Sequence, residues 1–192
     1  MHYRITDFLA DIVENALDAG SGFTEIKIIQ DDGNLKVSVK DTGKGMTEAE
    51  ILRARDPFGT DGKKHPGRRV GLGIPFLVQA LNETGGDFSI SSRPGAGTTV
   101  SFRFDLRHLD TPPLGSLPET FRQIPSLPGS HDMAIHRALG TESYDLSRRE
   151  LLETLEELES VGSLAILEQY LESLEDSVQS PEKGARHGKN DP

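Results

Sequence analysis

Four short stretches, "TEIKIIQ", "LKVSVKD", "DFSISSR" and "TTVSFRF", alternate apolar and polar residues one by one. Successive side chains of a strand point to opposite faces, so stretches of this kind bury one side of a sheet and leave the other in water. The first two are linked by "DDGN" and the last two by "PGAG", both turn sequences, which predicts two antiparallel hairpins. A sheet with one apolar face needs a second layer, and the chain supplies it in helices. Ile5, Phe8, Leu9, Ile12, Val13, Ala16 and Leu17 recur at three- and four-residue spacing, predicting a helix over 5–19 that Gly20 and Gly22 close. Thr47 with Glu50 three residues on predicts a capped short helix that stops before Pro57. A third helix runs from Ile74 to Leu81, with Pro75 in its tolerant first turn and Gly85 and Gly86 at its end. The order predicts an α+β two-layer sandwich over 1–106, with a mainly antiparallel sheet and its helices on one face.

Beyond Leu106 the pattern changes. Residues 107–130 are rich in proline and are expected to run extended over the surface as a connector. Residues 131–178 read as a small appendage in which "MAIHRA" and "ESYDL" make a hairpin and Ser147 with Glu150 opens a helix bearing Leu151, Leu152, Leu155 and Leu158. Gly162 is expected to interrupt it before Leu164, Leu167, Leu171 and Leu174 resume the spacing. Residues 179–192 have no large apolar side chain and are expected to be disordered.

Charge and composition exclude several functions. The net charge is −10, and residues 145–176 hold ten acids and two arginines, which leaves only −2 for the rest. A general affinity for nucleic acid needs a basic surface, so none is expected. No apolar run approaches the ~18 residues of a membrane span, and no basic segment leads into an apolar one at the N-terminus, so a soluble, cytoplasmic protein is expected. The absence of cysteine removes disulfides, thiolate metal sites and a cysteine nucleophile.

Chemistry concentrates at three places. "DTGKGM" follows the second strand, so that Asp41 stands at a strand end with Gly43 and Gly45 behind it. A carboxylate there can accept a hydrogen bond from an amino group while the glycines let backbone approach a flat ligand. "VGLGIP" opens the third helix, where Gly71 and Gly73 can bare backbone N–H groups toward an anion. It is neither a Walker loop, lacking the glycine-lysine-serine/threonine, nor a dinucleotide fingerprint, lacking the third glycine. Just before it, Lys63, Lys64, Arg68 and Arg69 form a basic cluster on a glycine-rich loop, which together with the helix start suits a polyphosphate. On the first helix Asp11, Asn15 and Asp18 share one face, while Glu14 is turned away by about 100° from Asn15. An amide oxygen among carboxylates suits Mg²⁺, which prefers oxygen ligands and often reaches a protein through phosphates.

"ENALDAG", "DTGKGM", "DPF", "VGLGIPF" and "GAGTTVSF" occur in the order and spacing of the ATP-binding domain of DNA gyrase, heat-shock chaperone ATPases, histidine kinases and MutL-type repair proteins. Over residues 5–106 the chain resembles this GHKL superfamily, which implies the Bergerat fold, ATP and Mg²⁺. The resemblance implies Asn15 as the Mg²⁺ ligand and Asp41 as the adenine-reading carboxylate. Gly43, Gly45 and Met46 become the adenine-side loop, Gly71, Leu72 and Gly73 the phosphate-side loop, and Thr98 a water-mediated adenine contact. The basic loop between them looks like the ATP lid. "HLDTPPLG" and the hairpin-plus-helix beyond it resemble small stand-alone histidine-kinase-like ATP-binding proteins, some encoded near iron-only hydrogenase subunits. That implies a protein partner, either a phosphoacceptor or a redox-enzyme subunit.

Hydrolytic members of the superfamily carry a glutamate four residues before the metal-binding asparagine. Here that position is Asp11, a candidate general base one methylene shorter, so slow hydrolysis is expected. The first helix starts at residue 5, which leaves no dimerising hairpin with an acceptor histidine ahead of it, and a phosphoacceptor is expected on another protein. Three readings therefore stand: a kinase-like module, a weak ATPase, and an ATP-gated interaction protein.

Overall fold

The computed structural model describes residues 4–56, 73–127, 129–158 and 160–180. Its helices are α1 (Ile5–Asp18), α2 (Glu48–Arg55), α3 (Gly73–Glu83), α4 (Leu117–Gln123), α5 (Arg148–Leu155) and α6 (Val161–Gln179). The strands are β1 (Phe23–Gln30), β2 (Asn34–Asp41), β3 (Asp87–Ser92), β4 (Thr98–Asp105), β5 (Asp132–Leu139) and β6 (Glu142–Ser147). They form one sheet in the order β3-β4-β2-β1-β5-β6, antiparallel throughout except between β1 and β5.

The two expected hairpins are there, and their local chemistry is visible. Asp31 turns β1 into β2 by accepting the N–H groups of Gly33 at 3.0 Å and Asn34 at 2.7 Å, and these bonds hold its carboxyl below the usual range. Alternation sends Ile26 and Ile28, Leu35, Val37 and Val39, and Val100, Phe102 and Phe104 to the helical side, where all are buried. Against them α1 lays Ile5, Phe8, Leu9, Ile12, Val13 and Ala16, and α3 adds Leu77 and Leu81. Thr47 caps α2 as expected, accepting from the Glu50 N–H.

Three expectations change. The proline-rich connector does not simply run extended over the surface: Ser116 accepts the Glu119 N–H at 3.2 Å and starts α4, whose first turn takes Pro118. Leu117, Phe121 and Ile124 are buried by it. The stretch ahead of α4 also holds the start of α1, since the carbonyls of Pro113 and Leu114 receive its first N–H groups, from Ile5 at 2.9 Å and Thr6 at 3.0 Å. Secondly, the hairpin of residues 132–147 does not stand apart from the first hundred residues but continues their sheet, with β5 running parallel to β1 from Phe23↔Asp132 to Gln30↔Leu139. Thirdly, the break between the last two helices falls at Glu156, which takes a φ of 63°, and not at Gly162, which lies in the first turn of α6 behind the Ser160 cap.

The leucines of this region pack inward: Leu151 of α5, Leu167 and Leu171 of α6, and Leu158 between the two helices join the same core as α1. A buried ion pair lies within this region. Arg137 on β5, 1% exposed, meets Glu175 of α6, 7% exposed, at 3.1 Å. Tyr144 donates to the same carboxylate at 2.9 Å, and Gln30 of β1 accepts from Arg137 at 2.7 Å. Among the described residues, no helix is long and apolar enough to cross a membrane.

Candidate functional site

Strand register builds one end of the site. Thr24, Asp41, Thr98 and Ser92 are successive partners across β1, β2, β4 and β3, so four polar side chains form a row on the helical face at the end of the sheet. Thr24, Asp41 and Thr98 are all buried in what is otherwise an apolar layer. Asp41 accepts the Gly43 N–H at 2.7 Å and a backbone N–H from Thr98. Burial nevertheless pushes its carboxyl above the usual value, the two N–H bonds offsetting only part of the effect. Such a carboxylate is a costly acceptor to keep buried unless something donates to it.

The backbone around this row is tightly fitted. A side chain on Gly43 would meet Ala19 and the Asp41 carboxylate at 2.9 Å. At Gly97, with a φ of 78°, it would run into the Asp41 carbonyl, and at Gly45, with a φ of 67°, into the carbonyl of Arg93. The loop after β2 is stitched to the β3–β4 turn by Gly95 N–H to Lys44 at 2.7 Å and by Met46 N–H to the Ser92 hydroxyl at 2.8 Å. Lys44 N–H also reaches the Ala19 carbonyl at 3.0 Å, which pins this loop to the end of α1.

The other end lies at the start of α3. A Cβ on Gly73 would come within 2.7 Å of Asp11 Oδ2, so the carboxyl of Asp11 sits against the first residue of that helix. Helix α1 therefore spans the site, touching Gly73 with Asp11 and Gly43 with Ala19. Eight residues of helix separate these contacts by about 12 Å. Asn15, exposed, lies midway along that edge with Asp11 one turn before it. Glu14 is also exposed and projects elsewhere on the helix.

The structure thus brings Asp11, Asn15, Asp41, Gly43, Gly45, Met46, Gly73 and Thr98 to one edge of the sandwich. Lys63, Lys64, Arg68, Arg69, Gly71 and Leu72 lie outside the described residues. Sequence reasoning missed Ser92 and Thr24. Both were within reach of it, because each is the cross-strand partner of a residue already singled out, and hairpin register names such partners directly.

One hollow of about 360 Å³ lies elsewhere, on the open face of the sheet between Lys27, Lys36, Ser38, Ser89, Ser101 and Arg103. Lys27 there is paired with Glu25 at 3.1 Å, Arg103 with Asp87 at 2.6 Å, and Ser101 bonds Ser38 at 3.0 Å. Those groups satisfy one another, as on a solvated sheet face.

Comparison with known proteins agrees with the geometry. Residues 3–108 match the family described as histidine kinase-, DNA gyrase B-, and HSP90-like ATPase. Sensor histidine kinase RcsC of Salmonella typhimurium is 33% identical over 106 residues, 51% of this chain but only 11% of that protein. Sporulation kinase E of Bacillus subtilis is 31% identical over 108 residues, 54% of this chain and 14% of the kinase. The N-terminal domain of a DNA repair protein, 13% identical, shares the fold across 84% of this chain and 58% of its own with a TM-score of 0.52. The chain spans a small fraction of the kinases it matches, and the residues matched to the family, 3–108, include Asp11, Asn15, Asp41, the glycine loops and Thr98. The chain belongs to the histidine kinase-, DNA gyrase B- and HSP90-like ATPase family, as an ATP-binding, kinase-like module.

Proposed function

We propose that the chain binds ATP with Mg²⁺ and acts as a histidine-kinase-like signalling module on a partner protein. The observation that carries the reading is the buried Asp41 carboxylate, held above its usual pKa beside glycines whose place no side chain could take. Asp41 takes a hydrogen bond from the adenine amino group, Gly43, Gly45 and Met46 flank the base, and Thr98 reaches it through water. At the far end Gly71, Leu72 and Gly73 offer N–H groups to the phosphates, with Lys63, Lys64 and Arg68 as counter-charge.

Mg²⁺ fits the donors present. Among the described residues no group of three or more acidic or histidine side chains converges. The single amide oxygen of Asn15, beside phosphates, suits an ion that keeps several waters and takes one or two protein ligands. When bound, it neutralises phosphate charge. The names of the relatives support transfer to a protein side chain. The place of Asp11 at the start of α3 supports a second reading, slow hydrolysis with Asp11 as base, and a third is an ATP-gated binder with no transfer.

The experiment is incubation with ATP labelled at the terminal phosphate, with and without candidate partner proteins, including redox-enzyme subunits. Label on a partner supports the kinase reading; free phosphate that disappears in Asp11→Asn supports the ATPase; neither, with binding intact, supports the gated binder. Calorimetry on Asp41→Asn decides the site itself, since unchanged affinity for ATP refutes it. Lys63→Ala with Lys64→Ala should weaken ATP more than adenosine, and equal losses would reject phosphate contact by the lid.

A further inference from the structure

Ser92 belongs to none of the motifs, yet its hydroxyl joins three parts of the site. Its Oγ lies 2.8 Å from the Met46 nitrogen, 2.9 Å from the Gly97 carbonyl oxygen and 2.9 Å from Thr98 Oγ1. A serine hydroxyl has one proton and two lone pairs. The Met46 N–H can only donate and the Gly97 carbonyl can only accept, so they fix two of the three directions. If Ser92 gave its proton to Thr98, its oxygen and the Gly97 oxygen would face each other as two acceptors at 2.9 Å. One arrangement satisfies all three contacts: Met46 N–H donates to Ser92, Ser92 O–H donates to Gly97, and Thr98 O–H donates to Ser92.

That arrangement spends the only proton of Thr98. Its oxygen then shows lone pairs alone to the space beside it, and its cross-strand neighbour there is Asp41, an acceptor as well when ionised. The Gly43 N–H, which could have served as a donor, is already bonded to Asp41. The base end of the site is therefore built of acceptors, and it suits a ring edge that carries donors.

We propose that Ser92 is a positioning residue which locks the Thr98 hydroxyl as an acceptor and so sets the preference of the site for a 6-amino over a 6-oxo purine. The proposal rests on the nucleotide reading of this site. An amino group, directly or through a water, meets Thr98 and Asp41 with protons. A 6-oxo group meets them oxygen against oxygen.

The test compares ATP with inosine triphosphate, its 6-oxo counterpart, by calorimetry on the full chain. Wild type should bind ATP far more tightly. In Ser92→Ala the Thr98 hydroxyl is free to turn and donate, so the ratio of the two affinities should fall about tenfold, one hydrogen bond of about 1.4 kcal/mol. Ser92→Thr keeps the relay and should keep the ratio. Thr98→Val removes the hydroxyl without touching Ser92; the ratio should fall there too, and the double variant should fall no further. A purely structural role for Ser92 would weaken both nucleotides alike and leave the ratio as in wild type, which overturns the proposal. An unchanged ratio in Thr98→Val overturns it independently of how Ser92→Ala folds. Failure of wild type to bind either nucleotide refutes the nucleotide reading and the proposal with it.

Discussion

Removing Glu175 should be among the costliest single changes on α6. Its partner Arg137 is 1% exposed, so a guanidinium that now faces a carboxylate at 3.1 Å would be left charged in the core. Breaking a buried pair from one side costs roughly 3–5 kcal/mol, chiefly because the remaining charge is uncompensated. Tyr144 would lose its acceptor at 2.9 Å as well. Burial, and then the charge of Glu175, hold that phenol well above its ordinary pKa, so in the wild type it is the donor in this contact. These costs share one network and do not simply add. About 4 kcal/mol is a fair expectation for Glu175→Ala, a large part of the 5–15 kcal/mol typical of a folded domain.

With a urea m value of about 2 kcal/mol per molar, the midpoint should fall by about 2 M. Far-ultraviolet dichroism suits the assay, since the chain has no tryptophan to report by fluorescence. Glu172→Ala, exposed on the same helix, should move it by less than about 0.3 M. Arg137→Met with Glu175→Leu removes both charges and should recover most of the loss, because apolar replacements of a buried pair are often neutral or better. A midpoint for Glu175→Ala no lower than for Glu172→Ala would refute the reasoning. A double variant as weak as Glu175→Ala would assign the cost to lost packing and not to charge.

Two further predictions concern the site. A carboxyl whose folded pKa is raised adds stability below its unfolded pKa, about 3.9, and loses it as pH rises through the folded value. The charge of Asp41 at neutral pH therefore works against the empty fold. Asp41→Asn should match or exceed wild type in melting temperature without ligand and show no rise on adding ATP; a lower unliganded melting temperature would mean that the N–H bonds outweigh burial. Gly97→Ala should lose about 3 kcal/mol or more, because the new methyl runs into the Asp41 carbonyl at a φ of 78°. Gly95→Ala has the same φ with nothing within 4 Å and should lose only about 1–2 kcal/mol; equal losses in urea would show that the close approach does not matter.

What could be read from the sequence was what short-range chemistry decides. The Asp31 turn, the Thr47 cap and the apolar row of α1 each depend on residues within a turn or two of one another, and each appears where its pattern stands. The motif glycines were legible because their conformational demand is local, although the reason for Gly97, the approach of the Asp41 carbonyl, is not. The pairing of β1 with β5 joins segments about a hundred residues apart, and alternation says which face of a strand is buried but not which strand lies beside it. In α4 the prolines concealed a Ser116–Glu119 cap that the same rules would have accepted elsewhere. One long-range signal was nevertheless present. Arg137 occupies the inward row of β5 after Met133 and Ile135, and Glu175 the inward row of α6 after Leu167 and Leu171. Each breaks an apolar pattern, with opposite sign. A buried charge needs a partner, so two such breaches in one acidic chain predict each other, and with them the docking of α6 on β5 that the strand patterns alone leave open.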